Sequence, residues 1–315
     1  MKIKSKHARK TLSVLAVALV GAVGSWSAVA TPLLGSDLAT FTVLGGSTVT
    51  NIPTSSVVGN VGVWSSGGAN AITGFNSSPG VAVSDPQVTA GLVHAGTTTG
   101  TPNAMTAQSE LTTAIINLGS LGPGTLLGSD LVGLILFPGV YTVPAGTTNL
   151  SGALTLDGQG NANAAWVFQM ASTLITSPNA VVNMINTGAG AGLYWNVGSS
   201  ATIDTNTTFL GNVLALESIT MNTTATDLCG RVLAKTGAVT LDQNDLSRAC
   251  SGDLTGSNGL SGGLDVITTP GGLTQVVFLP NVPVNGGGTV PEPATLALLG
   301  IGITGLGYAR RRRQG

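Results

Sequence analysis

The stretch TIDTN, starting at Thr202, sets apolar Ile203 between polar Thr202 and Asp204. TMNTT at Thr220 and TLDQN at Thr240 repeat the pattern around Met221 and Leu241, and STVTN (47–51) repeats it around Val49. Side chains alternate sides along a strand, so each triplet reads as a short strand with its middle residue inward and its neighbours outward. TLDGQ at Thr155 and TLITS at Thr173 open in the same way, and the five starts from Thr155 to Thr240 fall 18, 29, 18 and 20 residues apart. The long interval contains NTGAGAGLYWNVG, read as an insertion at a corner. A second phrase travels with the first: FLGNVLA (209–215) follows Thr202 and LCGRVLA (228–234) follows Thr220. VVGNVGV (57–63) echoes it after the N-terminal triplet. Such a repeat predicts an all-β solenoid, each rung closing over three faces of about six residues with neighbouring strands about 4.8 Å apart. A β-sandwich of short antiparallel strands is the alternative, although hairpins seldom preserve a two-part phrase at a fixed period.

One stretch breaks the strand rhythm. In NAMTAQSELTTAIINLGSL, Ala104, Ala107, Leu111, Ala114, Ile115 and Leu118 recur at three- and four-residue steps, which predicts an amphipathic helix over 103–118. Asn103 is its expected N-cap and Gly119 its stop. The helix would lay its apolar stripe along the solenoid. Residues 251–289 turn rich in Gly, Ser and Pro and read as a linker, with one short strand at TQVVFLP.

Both ends look like addresses. A basic leader, an apolar run and an A-x-A pattern at Ala28 and Ala30 read as a signal peptide over 1–30, cleaved after Ala30. Near the other end, Pro291, Glu292 and Pro293 precede a mostly apolar run from Ala294 to Tyr308, and then Arg310, Arg311, Arg312 and Arg313. That run is about 22 Å long as a helix, short against a hydrocarbon core of about 30 Å, and the arginines would hold its end on the cytoplasmic side. Membrane contact is thus expected only through the terminal segments, with tethering transient before C-terminal processing.

Charge then narrows the function. Twelve of the 13 carboxylates lie between residues 31 and 290, against Arg231, Lys235 and Arg248 alone. An acidic body excludes nucleic acid as a partner. Gly numbers 46 and aromatics are 4 %, in keeping with many tight corners. The two cysteines, Cys229 and Cys250, read as a disulfide in an exported chain, and neither a C-x-x-C motif nor a histidine cluster offers a metal site.

Two resemblances follow. The Pro-Glu-Pro motif, apolar run and Arg cluster of 290–315 resemble the PEP-CTERM sorting signal of Gram-negative bacteria, which implies an exosortase-type processing partner and a secreted, surface-associated product. LGSDLATFTVLGGSTVTN, ITGF, HAG, AQSELTTA, FPGVYTV, LTLDGQGNANAAWVFQ, VGSSATIDTNTTFLGNVLA and RVLAKTGAVTLDQN, in this order, resemble the bacterial and fungal ice-binding protein family. The likeness covers about residues 34–250 of an expected 31–250 domain. It implies a discontinuous, right-handed β-helix of triangular section, a long helix alongside, and an N-terminal rung sitting among the C-terminal ones. It also implies adsorption to ice through a flat face rich in Thr, Ser and Ala.

The expected binding set is Thr48, Thr50, Thr155, Thr173, Thr202, Ser218, Thr220 and Thr240. Threonine is stiff at χ1 and favours strands, so stacked rungs would hold its methyls and hydroxyls on a grid of about 4.8 by 6.7 Å, able to order water over an area. Spacing does not say which of the three faces carries the grid. The interspersed Asp157, Asp204 and Asp242 keep open an alternative, a matrix or adhesion protein of the same fold that binds exopolysaccharide. Competing chemistry is thin: DGQGN (157–161) reads as a turn before it reads as a Ca²⁺ loop, and aspartates at corners cap turns. Trp64, Trp166 and Trp195 read as core or corner aromatics. Neither a cofactor nor catalysis is expected.

Overall fold

The computed structural model describes residues 29–64, 71–95, 102–269 and 272–284. Most of the signal peptide and all of the sorting motif lie outside the described residues. Among them the architecture is parallel strands, one long helix and a small antiparallel sheet.

The strands stack in three ladders. The helix-side ladder runs Gly139–Val143, Ala165–Met170, Gly192–Val197, Thr208–Ala215, Thr226–Ala234, Phe41–Gly45, Asn60–Val63 and Val93–His94. A six-stranded ladder runs Leu174–Ile175, Ala201–Ile203, Ile219–Met221, Val239–Asp242, Val49–Ile52 and Ile72–Thr73. The third contains Ala153–Asn161, Val181–Thr187, the first residues of Thr208–Ala215 and Thr226–Ala234, then Asp245–Ser247, Ser56–Val58 and Val88–Thr89. The chain visits them in a fixed order: helix-side, six-stranded, third, and helix-side again. The N-terminal rung joins where Val239–Asp242 pairs with Val49–Ile52. It therefore stacks on the last C-terminal rung and is not interleaved among them.

Burial explains each ladder's sequence. The helix-side strands are covered twice, by the interior and by the helix, so they read as apolar runs with few polar breaks. Val43, Val213, Val232, Phe168 and Trp195 belong to the interior cluster, while Leu44, Val167, Tyr194, Leu214 and Leu233 pack in the cluster that holds the helix. The six-stranded ladder is covered once, which is why its triplets alternate. Ile203, Met221, Leu241 and Val49 are fully buried, as their central positions predict.

The helix spans Pro102–Gly119 and buries Ala104, Ala107, Leu111, Ala114 and Leu118. Its start differs from expectation by one turn position: Asn103 is already helical, and its side chain donates to Asp37 Oδ1 at 3.2 Å instead of capping. Pro102 fits the first turn, where no N–H is required. Gln108 Nε2 donates to the carbonyls of Ala234 and Lys235, and Gln169 Nε2 to that of Leu118, which fixes the helix against the ladder.

Two sequence expectations fail. NTGAGAGLYWNVG is no corner insertion, because Gly192–Val197 within it is a helix-side strand that buries Tyr194 and Trp195. The interval is long because the preceding third-ladder strand, Val181–Thr187, and its corner are long. Nor are residues 251–284 a linker. Leu264–Thr268 pairs antiparallel with both Thr274–Phe278 and Val29–Pro32, and Leu260 and Leu264 are buried. The glycines and serines there form turns in a strap that follows the solenoid surface.

Inside, Tyr141, Phe168, Trp195 and Phe209 stack on successive rungs, with ring centroids 5.7, 4.2 and 5.1 Å apart. Trp166 is also fully buried and Trp64 is half-buried, so the tryptophans are structural as read. Cys229 and Cys250 are disulfide-bonded across a separation of 21 residues, which stabilises by about 3 kcal/mol in the loop-closure picture.

The corner leaving the six-stranded ladder repeats one backbone device. Asn179, Asn206, Thr224 and Gln243 sit at φ of 61, 56, 61 and 53° on successive rungs. Asn tolerates this left-handed region, whereas a β-branched residue there is strained. Replacing Thr224 with Asn is expected to raise stability by about 1 kcal/mol, read as a higher melting temperature. A lower melting temperature would show that the Thr224 hydroxyl, bonded to Asn206 Oδ1, outweighs the backbone strain.

Candidate functional site

The six-stranded ladder carries one outward column in strict register. Ile175 pairs with Thr202, Thr202 with Thr220, Thr220 with Thr240, Thr240 with Thr50, and Thr50 with Thr73. Thr73 is exposed and the others are half-buried, as expected of side chains standing beside one another on a sheet. Among the described residues, the hydroxyls of Thr50, Thr73, Thr202, Thr220 and Thr240 make no hydrogen bond to protein, so their polar capacity faces outward. At about 4.8 Å per strand the column is roughly 24 Å long.

Two columns flank it. Toward the helix-side junction lie Thr173, Ser200, Ser218, Ala238 and Thr48, placed by the same register. Ser200 and Ser218 are spent on structure: Ser218 Oγ accepts the Ala238 amide at 3.2 Å, while Ser200 Oγ faces both the Ser218 amide and Glu217 Oε2. Toward the other corner lie Asp204, Asn222, Asp242 and Ile52. Asp204 Oδ1 accepts from Asn222 Nδ2 at 2.8 Å and from the Thr205 amide at 2.7 Å, and these bonds hold its pKa below the usual carboxylate range. Asp242 accepts from the Thr223 hydroxyl. Asp204 and Asp242 are thus tied into one corner and Glu217 lies at the opposite junction, leaving the central column uncharged.

Beneath that corner a buried amide network fixes its shape. Asn244 Nδ2 donates to the carbonyls of Asn222 and Ala225, its Oδ1 accepts the Asp242 amide, and its own amide donates to Ser55 Oγ. Ser55 Oγ in turn bonds Asn51 Oδ1 at 2.7 Å. Asn149 and the Thr176–Thr207 pair serve the earlier rungs.

Not every residue of the sequence-derived set converges here. Thr48, Thr50, Thr173, Thr202, Ser218, Thr220 and Thr240 share the face. Thr173 stands with Thr48 and Ser218 in the flanking column, and Ile175 takes the place in the central column. Thr155 lies on the third ladder, paired with Ile135 and Asn183. Any one-sided ladder alternates in the same way, so a Thr-apolar start does not name its face. Thr73 escaped the reading although Ile72-Thr73 repeats the inward-outward step of Val49-Thr50. Asp157 accepts from the Gln159 amide and Asn186 Nδ2 where Gln159 has φ of 54°, so DGQGN is an irregularity within the strand Ala153–Asn161 and not a separate turn.

The third ladder is chemically different. It exposes Ile135, Ile185 and Leu228 beside exposed Asp245, without a continuous hydroxyl column. Where its strands bend toward the helix side, Asp227 is fully buried, and desolvation pushes its carboxyl well above the usual range. Its Oδ1 accepts the Cys229 amide while its Oδ2 has no partner. A folded-state pKa above the unfolded value of about 3.9 makes the native state bind the extra proton, so stability falls as pH rises from about 4 toward the folded pKa. Asp227→Asn is therefore expected to match the parent near pH 4 and to melt higher than it at pH 7 to 8. An equal loss at every pH would show that the carboxylate itself is needed.

Fold and face together define a repeat-type surface protein: stacked parallel rungs bearing a register-locked, uncharged threonine column on their singly covered side. The chain belongs to the ice-binding-like family, whose profile matches residues 43–247, and a PEP-CTERM protein-sorting motif matches residues 289–313. It is 36 % identical over 307 residues to an ice-binding protein of Nostoc sp. (strain HG1), covering 97 % of this chain and 96 % of the relative. It is 31 % identical to an ice-binding protein of Flammulina populicola, covering 73 % of this chain and 94 % of that one. Among solved structures, the ice-binding protein of Antarctomyces psychrotrophicus superposes with a TM-score of 0.59 at 30 % identity, covering 70 % of this chain and 100 % of that chain. An ice-binding protein from an Antarctic biological consortium gives 0.56 at 33 % identity, over 69 % and 91 %. The sorting motif points to secretion and association with the bacterial cell surface, and implies an exosortase-type processing partner.

Proposed function

We propose that this protein adsorbs to ice through the column Thr202, Thr220, Thr240, Thr50 and Thr73, and so inhibits crystal growth or recrystallisation. The carrying observation is that these side chains are in continuous register while their hydroxyls are unengaged within the protein. Stiff β-branched side chains keep methyls and hydroxyls at fixed spacing, so a layer of ordered water can match them without first reorganising them. An adsorbed array forces the ice front to bulge between molecules, and a curved front melts at a lower temperature. The scaffold is read as a right-handed β-helix of triangular section, with the signal peptide removed after Ala30 and the tail processed by an exosortase-type enzyme. Binding ice requires neither catalysis nor a cofactor.

The test is direct. The purified protein is expected to facet single ice crystals near the melting point and to keep small grains from coarsening during annealing. Unchanged growth and coarsening rates at high protein concentration would reject the reading.

A further inference from the structure

The helix and the C-terminal strap pack against parts of the solenoid other than the threonine column. The helix covers the helix-side ladder. The C-terminal strap follows the junction at which the third ladder turns into the helix-side ladder, rung after rung. Asn258 and Gly259 accept from Arg231, and Leu260 accepts from Asn212 Nδ2 at 2.8 Å and from the Leu193 amide. Ser261 bridges to Gly192, and Pro280 accepts from Asn163 Nδ2 at 3.0 Å. The described chain then ends stitched to the same junction: the Ala162 amide donates to Val282 O, and the Val284 amide donates to Gly160 O at 2.9 Å.

Of the three junctions in each rung, this is the one the threonine ladder does not border. The ladder meets the helix-side strands near Gly198, Glu217 and Gly237, and the third ladder near Asn206, Thr224 and Gln243. The strap touches neither line. A force or tether applied at Val284 is therefore carried by the edge away from the threonine column.

We propose that this geometry is a display device: held by the chain that continues beyond Val284, the protein presents its threonine face away from the attachment surface and binds ice while tethered. Its partners are then two, the cell envelope behind the strap junction and an ice surface in front. The inference rests on the ice-binding reading and adds that attachment and adsorption are simultaneous. A chain exit at the Glu217 or Thr224 junction would instead bring the support against the edge of the column.

The experiment couples the full chain to maleimide beads through a single introduced cysteine, the native pair being disulfide-bonded. Asn281→Cys places the link at the strap, where Asn281 is exposed, and Thr220→Cys places it in the column. Beads linked at 281 are expected to freeze onto a slowly growing ice surface and resist washing at the melting point, while beads linked at 220 wash off. Retention of neither bead type, with the uncoupled protein still shaping ice, would overturn display but leave the ice-binding reading standing. Equal retention of both would overturn the assignment of the column. An uncoupled protein inert toward ice would overturn the underlying reading and display with it.

Discussion

Thr220→Tyr is expected to abolish ice shaping while leaving the melting temperature within about 1 °C of the parent, since a half-exposed strand position tolerates Tyr. Thr220 is central in the column, flanked in register by Thr202 and Thr240. A phenol ring there stands several ångströms above its neighbours, so the threonines on both sides lose contact with a flat lattice together. A loss of about 3 kcal/mol from adsorption weakens it roughly a hundredfold. Thr155→Tyr, on the third ladder, is the matched control and is expected to keep most of the activity. The reverse result, with Thr155→Tyr silent toward ice and Thr220→Tyr active, would move the binding face to the third ladder. Crystal shaping and thermal unfolding measured on the same preparations separate loss of the face from loss of the fold.

The helix and the twice-buried strands are legible in the sequence because burial imposes a period. Ala104 to Leu118 carries the helical stripe, and FLGNVLA and LCGRVLA carry the mostly apolar runs of strands covered on both sides. The threonine column is legible from Thr202 to Thr240, where one rung is 18 to 20 residues and each triplet is complete. Thr155 and Thr173 show where that signal stops. They too lie 18 residues apart, but the interval runs from the third ladder to the residue before Leu174–Ile175, and alternation alone does not distinguish the ladders. Of the strap only the strand at TQVVFLP, Thr274–Phe278, is legible, and the rest is hidden for another reason. Its strands are short and Gly-flanked, and one pairs with Val29–Pro32, so Thr31 Oγ1 reaches Val266 O across 235 residues. A contact at that separation leaves no local period. The buried Arg231 is equally silent, since nothing in LCGRVLA marks its one cation as internal.

That arginine carries the largest expected effect on stability. Arg231→Ala is expected to destabilise the protein by about 3–5 kcal/mol, the range for stripping a buried polar constellation of its charged partner. Arg231 is fully buried, and burial together with nearby Arg248 lowers its pKa to about 10, which leaves it charged at neutral pH. Its Nη1 donates to Asn212 Oδ1 at 2.8 Å and to the carbonyls of Asn258 and Gly259 at 3.0 Å, and its Nη2 donates to Ala39 O at 2.8 Å. One guanidinium therefore joins the N-terminal segment, a C-terminal rung and the strap, the three parts that a discontinuous solenoid must bring together. Alanine leaves those acceptors in a space that its methyl does not fill. Lysine keeps the charge but lacks the planar fork, so Arg231→Lys is expected to recover only part of the loss. Denaturant unfolding reads the effect, and a change below about 1 kcal/mol would show that water replaces the guanidinium at little cost. Because the threonine column makes no contact with Arg231, both variants are expected to shape ice normally near 0 °C as long as they stay folded. Loss of shaping in a folded variant would mean that the strap junction sets the geometry of the opposite face, and it would link display to binding.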